Sequence, residues 1–163
     1  MFVKRTFDVV ASGVLLILGL PVMLLAAFAI LFETPGPIIY RQERVGLGGR
    51  TFNILKFRSM RIDAEKDGRP QWAQTRDSRV TKVGRFMRLT RIDELPQLIN
   101  VLAGQMSLVG PRPERPYFVD QLVKQVPFYA ARHSVKPGVT GWAQVRHKYG
   151  ASVDDAADKL EYD

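Results

Sequence analysis

The chain opens on an unbroken run of apolar positions. From Val9 to Phe32 there are 24 residues without a charge, fifteen of them Val, Ile, Leu or Phe. As a helix this run measures about 36 Å, against a hydrocarbon core of about 30 Å, and a buried core helix rarely needs to be apolar on every face for so long. A cleaved leader would have a shorter apolar stretch and a small-residue cleavage site. Here Glu33-Thr34-Pro35-Gly36-Pro37, a turn, follows instead. Two forms stay open: a straight spanning helix, and a helix bent at Pro21 that enters and leaves by one face. Pro21 lies mid-run, where it removes a backbone hydrogen bond, and Gly13 and Gly19 loosen the segment further. Lys4 and Arg5 precede the run and Arg41, Arg44 and Arg50 follow it, which favours both ends in the cytoplasm. Spanning helices also carry prolines, so these residues alone leave the two forms even. In a bent helix the carbonyl near position 17 loses its donor. Ser12 holds the only hydroxyl of the run and is the candidate partner.

Beyond the run the periodicity changes. Residues 38–42 and 51–57 read as short strands with Gly46, Gly48 and Gly49 between them, which predicts a hairpin. Residues 63–75 read as a polar surface loop. From Arg79 to Arg91 the spacing is helical, with Val80, Val83, Phe86 and Met87 on one stripe and Lys82, Arg85 and Arg88 on another. Such a helix suits a membrane interface or an ordinary core-facing position. A helix is predicted from Asp93 to Leu102, with Pro96 tolerated in its first turn and Gly104 ending it. Gly110-Pro111-Arg112-Pro113 is a stiff turn. Residues 114–125 read as a helix with Phe118, Val119, Leu122 and Val123 inside. Residues 136–142 read as a turn leading into a short strand, and Ser152 as the cap of a last helix, with Asp155 three residues on.

Composition narrows the chemistry. The chain has 163 residues, a formal net charge of +8 and no cysteine, which excludes disulfides, thiol catalysis and Cys-based zinc sites. The two histidines, His133 and His147, lack the short spacing of a helical metal pair. Charge is uneven: residues 41–91 hold 14 Lys or Arg against five Asp or Glu, whereas residues 92–163 hold eight against nine. A basic half beside an apolar anchor points toward lipid headgroups or a phosphate-bearing substrate more than toward nucleic acid.

Three places could carry chemistry. Asp93 and Glu94 at a predicted helix start have a plain role, capping and complementing the dipole. They also have a chemical one. Near Arg88 and Arg91 an ionised aspartate can attack phosphorus, and a neighbouring carboxylate can hold Mg²⁺. Lys56 and Arg58 would share one face of a strand, paired with an anion or simply exposed on an edge. Arg112, stiffened between two prolines, is either a phosphate grip or an incidental surface residue. No phosphate-binding glycine loop, dinucleotide fingerprint, nucleophile elbow or H-E-x-x-H is present.

Several segments together resemble the bacterial sugar transferases, the monotopic phosphoglycosyl transferases: Phe7-Asp8 before the apolar run, residues 56–60 (KFRSM), 93–98 (DELPQL), 106–113 (MSLVGPRP) and 136–145 (KPGVTGWAQV). The resemblance covers nearly the whole chain in order. It implies an α+β protein with an N-terminal re-entrant membrane helix (residues 1–33) broken at Pro21. A mostly helical catalytic domain (34–163) would follow, with a short hairpin and amphipathic interfacial helices. It implies transfer of a sugar 1-phosphate from a UDP-sugar to polyprenyl (undecaprenyl) phosphate, with loss of UMP, at the start of exopolysaccharide or O-antigen assembly. Asp93 matches the nucleophile that forms a covalent phosphosugar, and Glu94 its metal-associated partner. Lys56, Arg58, Arg88 and Arg112 match basic positions near the phosphates, and Mg²⁺, held by Glu94 and Asp93, is the expected cofactor. The expected setting is the bacterial inner membrane, with the catalytic domain on the cytoplasmic face and lipid rather than nucleic acid as neighbour; a homo-oligomer stays open. Glucose or galactose is the expected sugar. Two departures stand out: Leu20 replaces the serine common before the proline, and family domains usually continue past Asp163, so a truncated C-terminal end is expected. The contrasting expectation is a non-catalytic, membrane-anchored module that binds anionic lipid or nucleic acid.

Overall fold

The computed structural model describes residues 2–64, 77–146 and 153–163. The expected loop over 63–75 for the most part, the Ser152 cap and His147 lie outside them. Helix α1, Phe2–Glu33, carries Pro21 inside it and keeps its helical assignment throughout. By length and composition it could cross a membrane. The expected division into two arms at Pro21 is not seen as a break in the helix. The packing explains how the halves stay in phase. Residues 5, 8, 12, 16, 19, 23, 26, 30 and 33 are all shielded and recur every three or four positions, so one stripe faces the rest of the protein from end to end. The other faces, among them Ile17, Leu18, Leu25, Phe28 and Phe32, are exposed and apolar.

Both ends of α1 are tied to the same body. At the start, Arg5 donates to the carbonyls of Val101 (2.6 Å) and Leu102 (2.8 Å), and buried Asp8 accepts from Ser107 Oγ (2.8 Å) and Leu108 N (3.1 Å). At the end, the Glu33 carboxylate accepts from the backbone N–H groups of Lys82 (2.6 Å) and Val83 (3.0 Å). It thereby closes the first turn of α2, Lys82–Thr90, whose N-cap Thr81 accepts from Gly84 N. The Ser12 hydroxyl is buried on the packed stripe and has no partner, so the expected bond to a freed carbonyl is not made.

The centre of the body is an antiparallel hairpin of β1 (Ile39–Val45) and β2 (Thr51–Phe57), paired Ile39 with Phe57 through Val45 with Thr51. Three hydrophobic clusters meet on it. Phe57 joins Ala26, Ile30 and Met87; Ile54 joins Val101 and Met106; Val45 joins α4 (Pro116–Gln125) through Phe118, Val119 and Leu122. A helix α6, Val153–Leu160, covers that last cluster. Between them run α3 (Gln97–Leu102), β3 (Ser107–Val109), β4 (Gly138–Thr140) and α5 (Trp142–Arg146). The fold is thus mixed helix and sheet, as expected.

Several expected details are corrected. The apolar stripe predicted over Arg79 to Arg91 divides: Val83 and Met87 pack inward with buried Gly84, whereas Phe86 is 60% exposed, as is the neighbouring Leu89 at 83%. Val123, expected inside α4, is exposed. The 136–142 segment contains the strand, β4, and leads into a helix. β3 was not expected at all. It pairs with β4 in parallel, Ser107 with Gly138 and Val109 with Thr140.

Candidate active site

Asp93 and Glu94 do not start an α-helix. They sit in a 3₁₀ turn, Ile92–Glu94, entered through Arg91 in the left-handed conformation (φ 61°), and α3 begins only after Pro96. The cap positions of this turn and of α3 are Arg91 and Pro96, neither with a side-chain capping bond, so the capping part of the plain reading is not seen, although both carboxylates do lie in a first turn. Both side chains are buried.

Glu94 is the hub. Its Oε1 accepts from Lys56 Nζ at 3.1 Å and Arg112 Nη2 at 3.0 Å, with Arg91 Nη1 at 4.0 Å. Burial pushes its pKa up, but Arg112 and Lys56 outweigh this and hold it down at about 2. Lys56 is pushed the other way. Burial and the neighbouring Arg112 charge lower it to about 8, against the pull of Glu94. Asp93 is raised, first by burial, with Glu94 adding and Lys56, Arg88 and Arg91 opposing. Its Oδ1 is buried with no hydrogen-bond partner.

Each side chain arrives by a different route. Ile54 and Lys56 lie on one face of β2, so burial of Ile54 against Val101 and Met106 aims Lys56 at the same side. Asn100 sets the distance. Its Oδ1 accepts from Leu55 N (3.0 Å) and its Nδ2 donates to Asn53 O (2.9 Å), so the side-chain amide binds β2 as a neighbouring strand would. Sequence reasoning missed Asn100; an amide set between apolar Ile99 and Val101 is the signal that could have found it. Arg112 is placed by the β3–β4 crossing. Gly110 N donates to Thr140 O and Gly138 N to Pro111 O, both at 2.9 Å. A Cβ on Gly138 would overlap the Gly110 backbone nitrogen, and one on Gly110 the Lys136 carbonyl, so the glycines of the two segments are required by close backbone approach. Arg112 Nη1 then reaches Gln144 Oε1 on α5 (3.2 Å), and the Arg112 carbonyl accepts from Arg132 Nη2 (3.1 Å).

The structure therefore brings Lys56, Asp93, Glu94 and Arg112 together. Arg88 lies at the edge, donating through Nε to Ser59 Oγ (2.9 Å) while its charge acts on Asp93. Arg58 is elsewhere. β2 ends at Phe57, and the Arg58 guanidinium holds the turn after α1 through Pro35 O (2.8 Å), Thr34 O (2.7 Å) and Thr34 Oγ1 (2.9 Å). The expected common face for Lys56 and Arg58 is corrected accordingly. Pro21 lies on the exposed side of α1.

Among the described residues no group of three or more His, Asp or Glu could hold a metal. Mg²⁺ needs less, because it commonly takes one or two carboxylates and completes its shell from substrate phosphates and water. Asp93 and Glu94 with an unpartnered Asp93 oxygen fit that donor set, although Glu94 Oε1 is already committed to cations.

A family model described as bacterial sugar transferase matches residues 1–163. A protein of Aeromonas hydrophila named UDP-N-acetylgalactosamine-undecaprenyl-phosphate N-acetylgalactosaminephosphotransferase is 52% identical over 99% of this chain and 38% of its own length. UDP-glucose:undecaprenyl-phosphate glucose-1-phosphate transferases of Caulobacter vibrioides and Escherichia coli are 52% and 45% identical over 91% and 97% of this chain. The chain spans 55% and 33% of those two.

Proposed function

The chain belongs to the bacterial sugar transferase family, and from that premise we propose that it moves a sugar 1-phosphate from a UDP-sugar to undecaprenyl phosphate with release of UMP. One observation carries the assignment of roles: Asp93, buried beside Glu94, Lys56 and Arg112, keeps an oxygen with no partner. A carboxylate used only for stability would have its oxygens satisfied. In the proposed reaction an Asp93 oxygen attacks the phosphorus that carries the sugar. The bond from that phosphorus to the bridging oxygen breaks, and UMP leaves with the oxygen. An oxygen of undecaprenyl phosphate then attacks the same phosphorus, and Asp93 departs as a carboxylate. Lys56 and Arg112 set Glu94 and offer positive charge to the diphosphate. Asp93 and Glu94 would hold Mg²⁺, which when bound shields phosphate charge from an anionic nucleophile.

The setting follows from α1. Its first turns and its last residue are bonded to one body, which supports a re-entrant helix with both ends on one side of the membrane, and the Lys and Arg residues beside both ends favour the cytoplasmic face of the inner membrane. Exposed Phe86 and Leu89, beside exposed Lys82 and Arg85, suit α2 to the lipid interface, where the acceptor phosphate lies.

Intact-protein mass spectrometry tests the chemistry. Incubation with UDP-sugars and Mg²⁺, without acceptor, should add one hexose phosphate or N-acetylhexosamine phosphate, and the added mass narrows the sugar class. Asp93→Asn should gain nothing. An adduct on Asp93→Asn overturns the nucleophile. Donor or lipid binding unaffected by Asp93→Asn, with no turnover by the unaltered chain, would mark a non-catalytic module instead.

A further inference from the structure

Gln144 stands next to the catalytic cluster with half of its amide unaccounted for. Arg112 uses one terminal nitrogen on Glu94 and the other on Gln144, 3.0 and 3.2 Å away. A guanidinium only donates, so the Gln144 oxygen must be the atom facing it. The amide orientation is thereby fixed, and Nε2 must point away. That nitrogen is buried with no hydrogen-bond partner. It lies beside Gly141, where a Cβ would stand 3.7 Å from it and would overlap the Gly110 carbonyl oxygen, so the glycine is required by the close approach of the Gly110 backbone. A buried amide donor left unpaired is destabilising until a partner satisfies it.

Holding Arg112 does not require this amide. A glutamate of the same length would accept from Arg112 with a charge-assisted bond, roughly twice as strong. What glutamine adds is a donor on its far side, and a donor is what an anion oxygen needs. The Arg112 side chain is 27% exposed and bonded to the Gln144 amide, so an anion drawn to the guanidinium from solvent comes close to that amide. We propose that Gln144 binds the donor diphosphate, its Nε2 giving a hydrogen bond to a phosphate oxygen that rests on Arg112. The identity of the ligand rests on the transferase reading; the unpaired donor does not.

The test uses the full chain in detergent or lipid, titrated with UDP, which cannot transfer a sugar. Gln144→Glu keeps the Arg112 contact and replaces the donor with a negative oxygen. Gln144→Leu removes both. Both should bind UDP at least tenfold more weakly, and both should raise KM for the UDP-sugar while leaving KM for undecaprenyl phosphate unchanged. Wild-type UDP affinity in Gln144→Glu overturns the proposal and leaves Gln144 as a prop for Arg112. So does an unaltered chain that binds no UDP. A chain that binds UDP through Gln144 but forms no Asp93 adduct would sustain this contact and fail the proposed reaction, so the two failures are distinguishable.

Discussion

At the scale of single residues, Glu94 holds two cations on one oxygen, and its removal should be felt in stability before chemistry. Glu94→Gln leaves Lys56 and Arg112 without their acceptor charge and should cost about 2–3 kcal/mol at neutral pH, measured by denaturant unfolding in micelles. Because the folded pKa lies at about 2, below the ordinary carboxylate value, this contribution is complete above that ordinary value. It is lost as pH falls toward 2, and the difference between variant and parent should shrink over that range. Lys56 should govern the other limb. Its pKa of about 8 predicts that turnover falls above that pH as the ammonium loses its proton, and Lys56→Arg should move that limb to higher pH. An alkaline limb left in place by Lys56→Arg would assign it to another group. The candidate residues were legible because residue type and chemistry coincide: an aspartate, a glutamate, a lysine and an arginine in a basic segment. What could not be read was Arg58, whose partners are carbonyls of a turn 23 and 24 residues earlier. Hydrogen-bond partners at such separations leave no period in the chain.

At the scale of elements, the long apolar helix and the hairpin announce themselves by length and alternation. β3 and β4 do not. Three residues each are too few for any period to show, and what makes them strands is the pairing of one with the other. Their glycines were the readable trace. Gly138→Ala should force the crossing apart, separating Arg112 from Gln144, with a cost of about 1–3 kcal/mol and a raised KM for the nucleotide sugar. Unchanged donor kinetics would show that Arg112 is placed by something else. For α1, the bonds of Asp8 to Ser107 and Leu108 tie its N-terminal part to the strand that leads to Arg112. Asp8→Leu should free that part of the helix more completely than Pro21→Ala. Pro21→Ala only restores one backbone bond in a helix whose two halves already share a packed face.

At the scale of the whole molecule, the expected topology can be read chemically, since the chain contains no cysteine of its own. Single cysteines at positions 3 and 36 should both resist an impermeant thiol reagent in intact cells and react once the cells are opened. Labelling at position 3 alone would mean a spanning helix. Asp8→Leu in the same background should expose position 3 in part of the population.

The shielded stripe of α1 has a thermodynamic meaning as well. Its residues close over Phe57, Met87 and Leu95, and Leu95 directly follows the carboxylate pair. On the proposed function, partition of the helix into lipid and assembly of the turn that carries Asp93 and Glu94 are two descriptions of one equilibrium. Lipid behaves as a ligand of the native state, raising stability by its preference for the folded form over the unfolded one. Melting temperature should therefore rise with the lipid content of the micelle, and the same titration should restore UDP affinity in parallel. A chain lacking residues 2–33 would gain no such response, because the surface that lipid stabilises would have left with the helix.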